Sequence, residues 1–120
     1  RGIVVGVWLQ LKQGARSETE RVVKDYLHYR RDTQPLAMPS AGCVFKNPPN
    51  DSAGRLIEAT GLKGACVGDA EVSLKHANFM VNRGQARAVD VIALIGRVRS
   101  TIRRRAGVRL DLELKIVGET

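Results

Sequence analysis

The sequence predicts an α+β fold: a small, mainly antiparallel sheet with helices packed on one side. Three observations carry that expectation. The residues near both ends, Ile3 to Lys12 and Val108 to Val117, alternate apolar and polar with the period of a strand. Two longer segments, from Ser17 and from Ala88, repeat their apolar residues at helical spacing. Between them lie short apolar runs separated by glycine-containing turns. The order is strand, helix, strand, helix, short strands, helix, strand.

In the first strand, Ile3, Val5, Val7, Leu9 and Leu11 fall on one face. Its first half is apolar on both faces, so it expects cover on both sides, and Gly14 ends it. The following helix runs from Ser17 to about Arg30. Ser17-Glu18-Thr19-Glu20 reads as a capping box, with Val22, Val23, Tyr26 and Leu27 as a narrow apolar stripe. Arg30 and Arg31 suit the negative end of the helix, and Pro35 breaks it. Cys43-Val44-Phe45 reads as a short strand between two loops. Asp51 or Ser52 starts a second helix that runs to Thr60, and Gly61 supplies a left-handed stop. Leu62 to Gly68 reads as extended, and Ala70–Ser73 and Asn78–Asn82 as two further short strands. The longest helix spans Ala88 to Ala106, with Val91, Ile95, Val98 and Ile102 inward and Gly107 at its end. In the final strand, Leu110, Leu112, Leu114 and Ile116 face one way, and Asp111, Glu113 and Lys115 the other.

With 120 residues, 43% of them hydrophobic, the chain is long enough for one core without disulfide staples. No apolar run reaches membrane-spanning length, and no signal-peptide pattern is present, so no membrane partner is expected. The start at Arg1-Gly2-Ile3-Val4, without methionine and directly on a strand pattern, suggests a longer protein with more chain before it. The formal net charge of +8 favours anionic partners such as nucleic acid, acidic lipid or phosphorylated small molecules. Aromatic residues make up only 4%, which argues against a single-strand nucleic-acid platform. The two cysteines and two histidines match no metal spacing, and without a secretion signal the thiols are expected to be reduced.

Several residues have the chemistry of a site. Small residues at Ser40-Ala41-Gly42 let a backbone approach a ligand closely, and Cys43 places a thiol at that opening. Cys43 also reads as a small buried hydrophobe, and Glu113 as a solvated strand carboxylate. Lys63 lies between Gly61 and Gly64, where the backbone folds tightly, and is a candidate phosphate contact with Lys46, Arg30 and Arg31. Asn47 lies near a helix start, where unpaired N–H groups attract anions. His76 precedes a strand and reads equally as a half-buried imidazole.

Taken together, these segments resemble a known family. Pro39-Ser40-Ala41-Gly42-Cys43-Val44-Phe45-Lys46-Asn47-Pro48 is similar to the active-site segment of the UDP-N-acetylenolpyruvoylglucosamine reductase (UDP-N-acetylmuramate dehydrogenase, MurB) family. Arg30–Pro35, Ala53–Glu58, Lys75–Asn82 and Leu112–Gly118 resemble the same family in the same order, so the resemblance covers nearly all of the chain. It implies a bacterial, cytoplasmic flavoenzyme of peptidoglycan precursor synthesis. NADPH reduces a bound FAD, the enolpyruvyl ether of UDP-N-acetylenolpyruvoylglucosamine receives a hydride, and a side chain supplies a proton to the neighbouring carbon. By motif, Cys43 is the proton donor and Glu113 assists. Gln34, Asn47, Lys63 and His76 would face the UDP-sugar, with Arg30 or Arg31 as further candidates. Residues 1–14 would be the last strand of the FAD-binding portion and 15–120 the C-terminal substrate-binding domain. That domain would hold no cofactor itself and would be inactive alone. The absence of a long insertion between Asn47 and Ala53 resembles the shorter subtype of the family. The competing reading is a stand-alone basic module for nucleotides or nucleic acid. Steep salt dependence of RNA or DNA binding, with no response to UDP, would favour it.

Overall fold

A computed structural model describes residues 3–118. The elements are α1 (Arg16–Thr33), β1 (Ser40–Cys43), α2 (Ala53–Ala59), β2 (Cys66–Val67), β3 (Ala70–Val72), β4 (Phe79–Asn82) and α3 (Ala88–Ala106). The four strands form one antiparallel sheet in the order β1-β4-β3-β2. The α+β expectation therefore holds. The central strands β3 and β4 are the apolar ones, with Val72, Met80 and Val81 all buried.

Helix α3 packs against β2 and β3 and lays α2 beside it. Its inward residues Leu94, Ile95, Val98 and Ile102 meet Phe45, Ile57, Val72 and Leu110 in a single core. The bounds match the helical period, and Gly107 closes the helix at φ +69°, a conformation that costs glycine least. At its start, the Asp90 carboxylate accepts from the Arg87 backbone N–H at 2.9 Å. That bond, and then the Arg87 guanidinium, hold the Asp90 pKa below the usual carboxylate range. Helix α2 is capped by Ser52, whose Oγ accepts from the Arg55 N–H at 3.1 Å.

The two ends of the chain depart from the sequence pattern. Residues 3–12 form no strand, although their alternation predicts one. Each residue from Ile3 to Lys12 is exposed, and Trp8 is fully so, because no other described segment lies along them as a pairing partner. The capping box at Ser17 is not used. Helix α1 starts one residue earlier with Ala15 at its N-cap and no side-chain cap bond, and an Arg16–Glu20 ion pair of 2.7 Å spans its first turn. It runs on to Thr33 and stops where Pro35 keeps Gln34 extended. Its apolar stripe buries nothing: Val23, Tyr26 and Leu27 are exposed. The radius of gyration, 17.4 Å, reflects these uncovered parts, since a compact domain of this length has about 14 Å.

The short strand predicted at Cys43–Phe45 is shifted. β1 ends at Cys43, and its register with β4 is irregular between Ser40↔Val81 and Cys43↔Phe79. Gly42 lies there at φ +80°. The predicted strand Val108–Val117 is reduced to one antiparallel bridge, Phe45↔Leu112. It is flanked by Lys46 N–H to Asp111 O at 2.8 Å and Glu113 N–H to Val44 O at 2.9 Å. The inward pattern holds for Leu110, Leu112 and Leu114 but fails at Ile116, which is exposed. The reason is the length of the partner: only Val44 to Lys46 is available to pair.

Candidate active site

The segment after β1 carries the site. Phe45 is buried between the sheet and the C-terminal segment and anchors the backbone on either side of it. The neighbouring residues Cys43, Lys46 and Asn47 open onto a cavity of about 650 Å³. Its other walls come from α2 and its N-cap (Ser52, Gly54, Arg55, Glu58), from the turn before β4 (Lys75 to Asn78) and from Glu113.

Four of the six site residues expected from the sequence thus share one cavity: Cys43, Asn47, His76 and Glu113. Lys63 is not on its wall. Lys63 Nζ is 2.6 Å from Glu58 Oε1, and it is Glu58 that faces the cavity. Gln34 is half-buried at the end of α1, accepting from Arg30 Nε at 3.4 Å, and is also outside the cavity lining. Arg30 and Arg31 do not line it either, although Lys75 Nζ donates to the Arg31 carbonyl and ties the end of α1 to the cavity wall.

Each polar group has a defined setting. Asn47 Oδ1 accepts from the Ala53 N–H at 3.0 Å, fastening the loop to the start of α2. His76 Nδ1 accepts from the Asn78 N–H at 3.2 Å, and the ring packs edge-on to Phe79 with centroids 4.8 Å apart. These two contacts hold the imidazole against the turn. Arg55 Nε donates to Asp51 Oδ1 at 2.6 Å. That bond, with the Ser52 N–H, pulls the Asp51 pKa down to about 2. A carboxyl whose folded pKa is depressed adds stability above its unfolded value and loses it as pH falls through the folded one. The Asp51–Arg55 pair is therefore expected to persist at pH 3, and an Asp51 carboxyl resonance titrating near pH 4 in NMR would show otherwise. Lys46 faces the cavity with no carboxylate partner among the described residues.

Cys43 is a free, exposed thiol on the cavity lining, and Cys66 is free and half-buried. Partial burial, and then the Glu113 carboxylate, push the Cys43 pKa up, while a hydrogen bond with the Asn78 side chain pulls it down. A thiol flanked by cations would be a thiolate; this one is held as S–H, the form that donates a proton. Replacing Glu113 by Gln removes the negative neighbour, so the Cys43 pKa is expected to fall. Alkylation by iodoacetamide at pH 8 should then speed up, with Cys66 as the internal reference. An unchanged or slower rate would show that Glu113 does not act on the thiol.

The sequence pattern did not single out Arg55, Glu58, Lys75 and Asn78 as wall residues. All four lie within the segments that resemble the reductase family, and that was the only signal available for them.

Comparison with known proteins places the chain among related sequences and structures. Residues 34–117 match the family model described as UDP-N-acetylenolpyruvoylglucosamine reductase, C-terminal domain. The chain is 59% identical over 116 residues to UDP-N-acetylenolpyruvoylglucosamine reductase 2 of Symbiobacterium thermophilum, covering 97% of this chain and 38% of that protein. It is 52% identical over 118 residues to UDP-N-acetylenolpyruvoylglucosamine reductase of Moorella thermoacetica, covering 98% and 39%. The crystal structure of UDP-N-acetylenolpyruvylglucosamine reductase (MurB) from Thermus caldophilus superposes with a TM-score of 0.75 at 45% identity, over 88% of this chain and 37% of that one. The chain thus spans well under half the length of these relatives. By sequence and by fold, it belongs to the UDP-N-acetylenolpyruvoylglucosamine reductase C-terminal domain family.

Proposed function

We propose that this chain is the substrate-binding part of an NADPH- and FAD-dependent enzyme that reduces UDP-N-acetylenolpyruvoylglucosamine to UDP-N-acetylmuramate in the bacterial cytoplasm. The observation that carries the reading is the shared cavity: a protonated thiol and a carboxylate face the same space, with Asn47, His76 and Lys46 around it. The relatives' names supply the substrate.

Adding hydride to one carbon of the enolpyruvyl double bond leaves an electron pair on its neighbour, stabilised by the adjacent carboxylate. That carbon needs a proton, and the Cys43 S–H supplies it. The thiol is exposed enough to regain its proton from solvent afterwards. Glu113 keeps Cys43 protonated between turnovers by making the thiolate costly. Lys46, Arg55 and Lys75 bring positive potential to the wall, where the substrate's carboxylate and diphosphate need it. Asn47 and His76 are placed to hydrogen-bond the sugar or the phosphates, and Lys63 acts on the site through Glu58. Gln34 is assigned to the same substrate by motif alone.

When bound, FAD supplies the hydride after reduction by NADPH. The side chains here fit a donor that approaches from outside, because Cys43 lines the cavity and is open to solvent. We assign the flavin to the portion of the relatives that this chain does not span, and residues 1–14 to the edge of that portion. Exposed apolar side chains at Ile3, Val5, Trp8 and Leu9 support that assignment.

The test uses the full-length protein. It is expected to be yellow and to oxidise NADPH only when the enolpyruvyl substrate is present. This chain alone should do neither, but its Lys46, Asn47 and His76 resonances should shift on titration with UDP-N-acetylmuramate. Full-length protein that oxidises NADPH at the same rate with and without the substrate would refute the reading.

A further inference from the structure

Asn78 is buried, with 3% of its surface exposed, in the turn that leads into β4. All of its polar groups are engaged on the Cys43–Phe45 segment or its surroundings. Its side-chain Oδ1 accepts from the Phe45 N–H at 3.0 Å, and its Nδ2 donates to the Phe45 carbonyl at 2.8 Å. Its own carbonyl accepts from the Val44 N–H at 2.9 Å. Two successive N–H groups, those of Val44 and Phe45, therefore point at one residue. Regular strand backbone alternates such groups from side to side, so the backbone bulges here, just past the separate register shift that β1 and β4 show between Ser40 and Cys43.

The bulge has a consequence for the chemistry. On its other side, Val44 O and Lys46 N–H are taken by Glu113 N–H and Asp111 O. The same three residues thus connect β4 to the segment carrying Glu113, and the kink sits directly beside Cys43. β4 begins at Phe79 and has no further residue to pair with Phe45. Without Asn78, a buried N–H and a buried C=O of Phe45 would lack partners, which is costly. A primary amide of this length offers one donor and one acceptor side by side, as a strand residue would. An aspartate in the same place keeps the acceptor but sets a carboxylate oxygen against the Phe45 carbonyl.

We propose that Asn78 is a positioning residue: it locks the bulged Val44–Phe45 backbone and so aims Cys43 into the cavity it shares with Glu113. The proposal rests on Cys43 as the proton donor. The Asn78 side chain also pulls the Cys43 pKa down, against the effects of burial and of Glu113.

The test compares Asn78→Asp and Cys43→Ala in the full-length enzyme, with circular dichroism as a check on folding. Asn78→Asp is expected to lower kcat by roughly 10- to 100-fold, the usual cost of a displaced reacting group. It should also raise the pH midpoint for alkylation of Cys43 while leaving that of Cys66 in place, a shift that general loosening of the fold does not produce. If Cys43→Ala is inactive while folded Asn78→Asp keeps wild-type kcat and an unmoved Cys43 midpoint, the positioning role is refuted and the function stands. If Cys43→Ala keeps wild-type kcat, the proton-donor reading falls, and with it the catalytic part of this proposal. A third measurement does not depend on any variant folding: in the wild-type protein, the Phe45 amide should exchange with solvent as slowly as that of Met80 in β4. Exchange at the rate of an exposed loop would refute the lock.

Discussion

Cys43→Ala in the full-length enzyme is expected to reduce turnover by roughly two to four powers of ten, the usual contribution of a single general acid. The loss should fall on proton delivery rather than on binding, so KM for the UDP-sugar should change little. Cys43→Ser is the informative companion. A hydroxyl donates from the same position but has no thiolate form, so it should retain substantial turnover and lose sensitivity to alkylating agents. The prediction follows from the position of the thiol beside Glu113 and from the direction of its pKa. Near-normal turnover of Cys43→Ala would remove Cys43 from the mechanism, leaving another wall residue to provide the proton.

Phe45→Ala is expected to destabilise this chain by about 3–5 kcal/mol, the range for truncating a buried aromatic side chain. Phe45 is 2% exposed and lies where the sheet, α3 and the C-terminal segment meet. Its loss would empty the core under Cys43 and weaken the Phe45↔Leu112 bridge that brings Glu113 to the cavity. The contrast is Leu27→Ala on α1, which is expected to stay within about 0.5 kcal/mol because that side chain is exposed here. Urea unfolding of both variants gives the comparison. A cost below 1 kcal/mol for Phe45→Ala, or one of comparable size for Leu27→Ala, would contradict the core as described.

The elements that could be read from the sequence are those whose determinants are local. α3 carries its own apolar period, and Gly107 provides its stop. α2 is marked by Ser52 and ended near Gly61. β3 and β4 lie between turn residues and are largely buried because both are interior strands. The ends were misread for a common reason. Alternation in residues 3–12 and the stripe on α1 report which face is apolar, but pairing and burial require a partner that periodicity does not supply. At the C-terminal segment the partner exists but is only three residues long, so one bridge forms where ten residues of strand pattern were present.

The site divides in the same way. Residue chemistry and resemblance picked out Cys43, Asn47, His76 and Glu113, four residues spread over some seventy positions of the chain. Nothing in their spacing indicated that they face one space, or that Lys63 would be turned to Glu58 instead. By itself, then, the sequence determined the family, the α+β class, the helix bounds of α2 and α3, and the residue types available for acid chemistry. The tertiary structure decided which of them meet. It did so through a bulge at Val44–Phe45, pinned by a buried amide from Asn78 and by two hydrogen bonds to the segment bearing Glu113. The physical reason is one of range: capping and periodicity act within a few residues, whereas a shared cavity depends on hydrogen bonds between segments more than thirty residues apart.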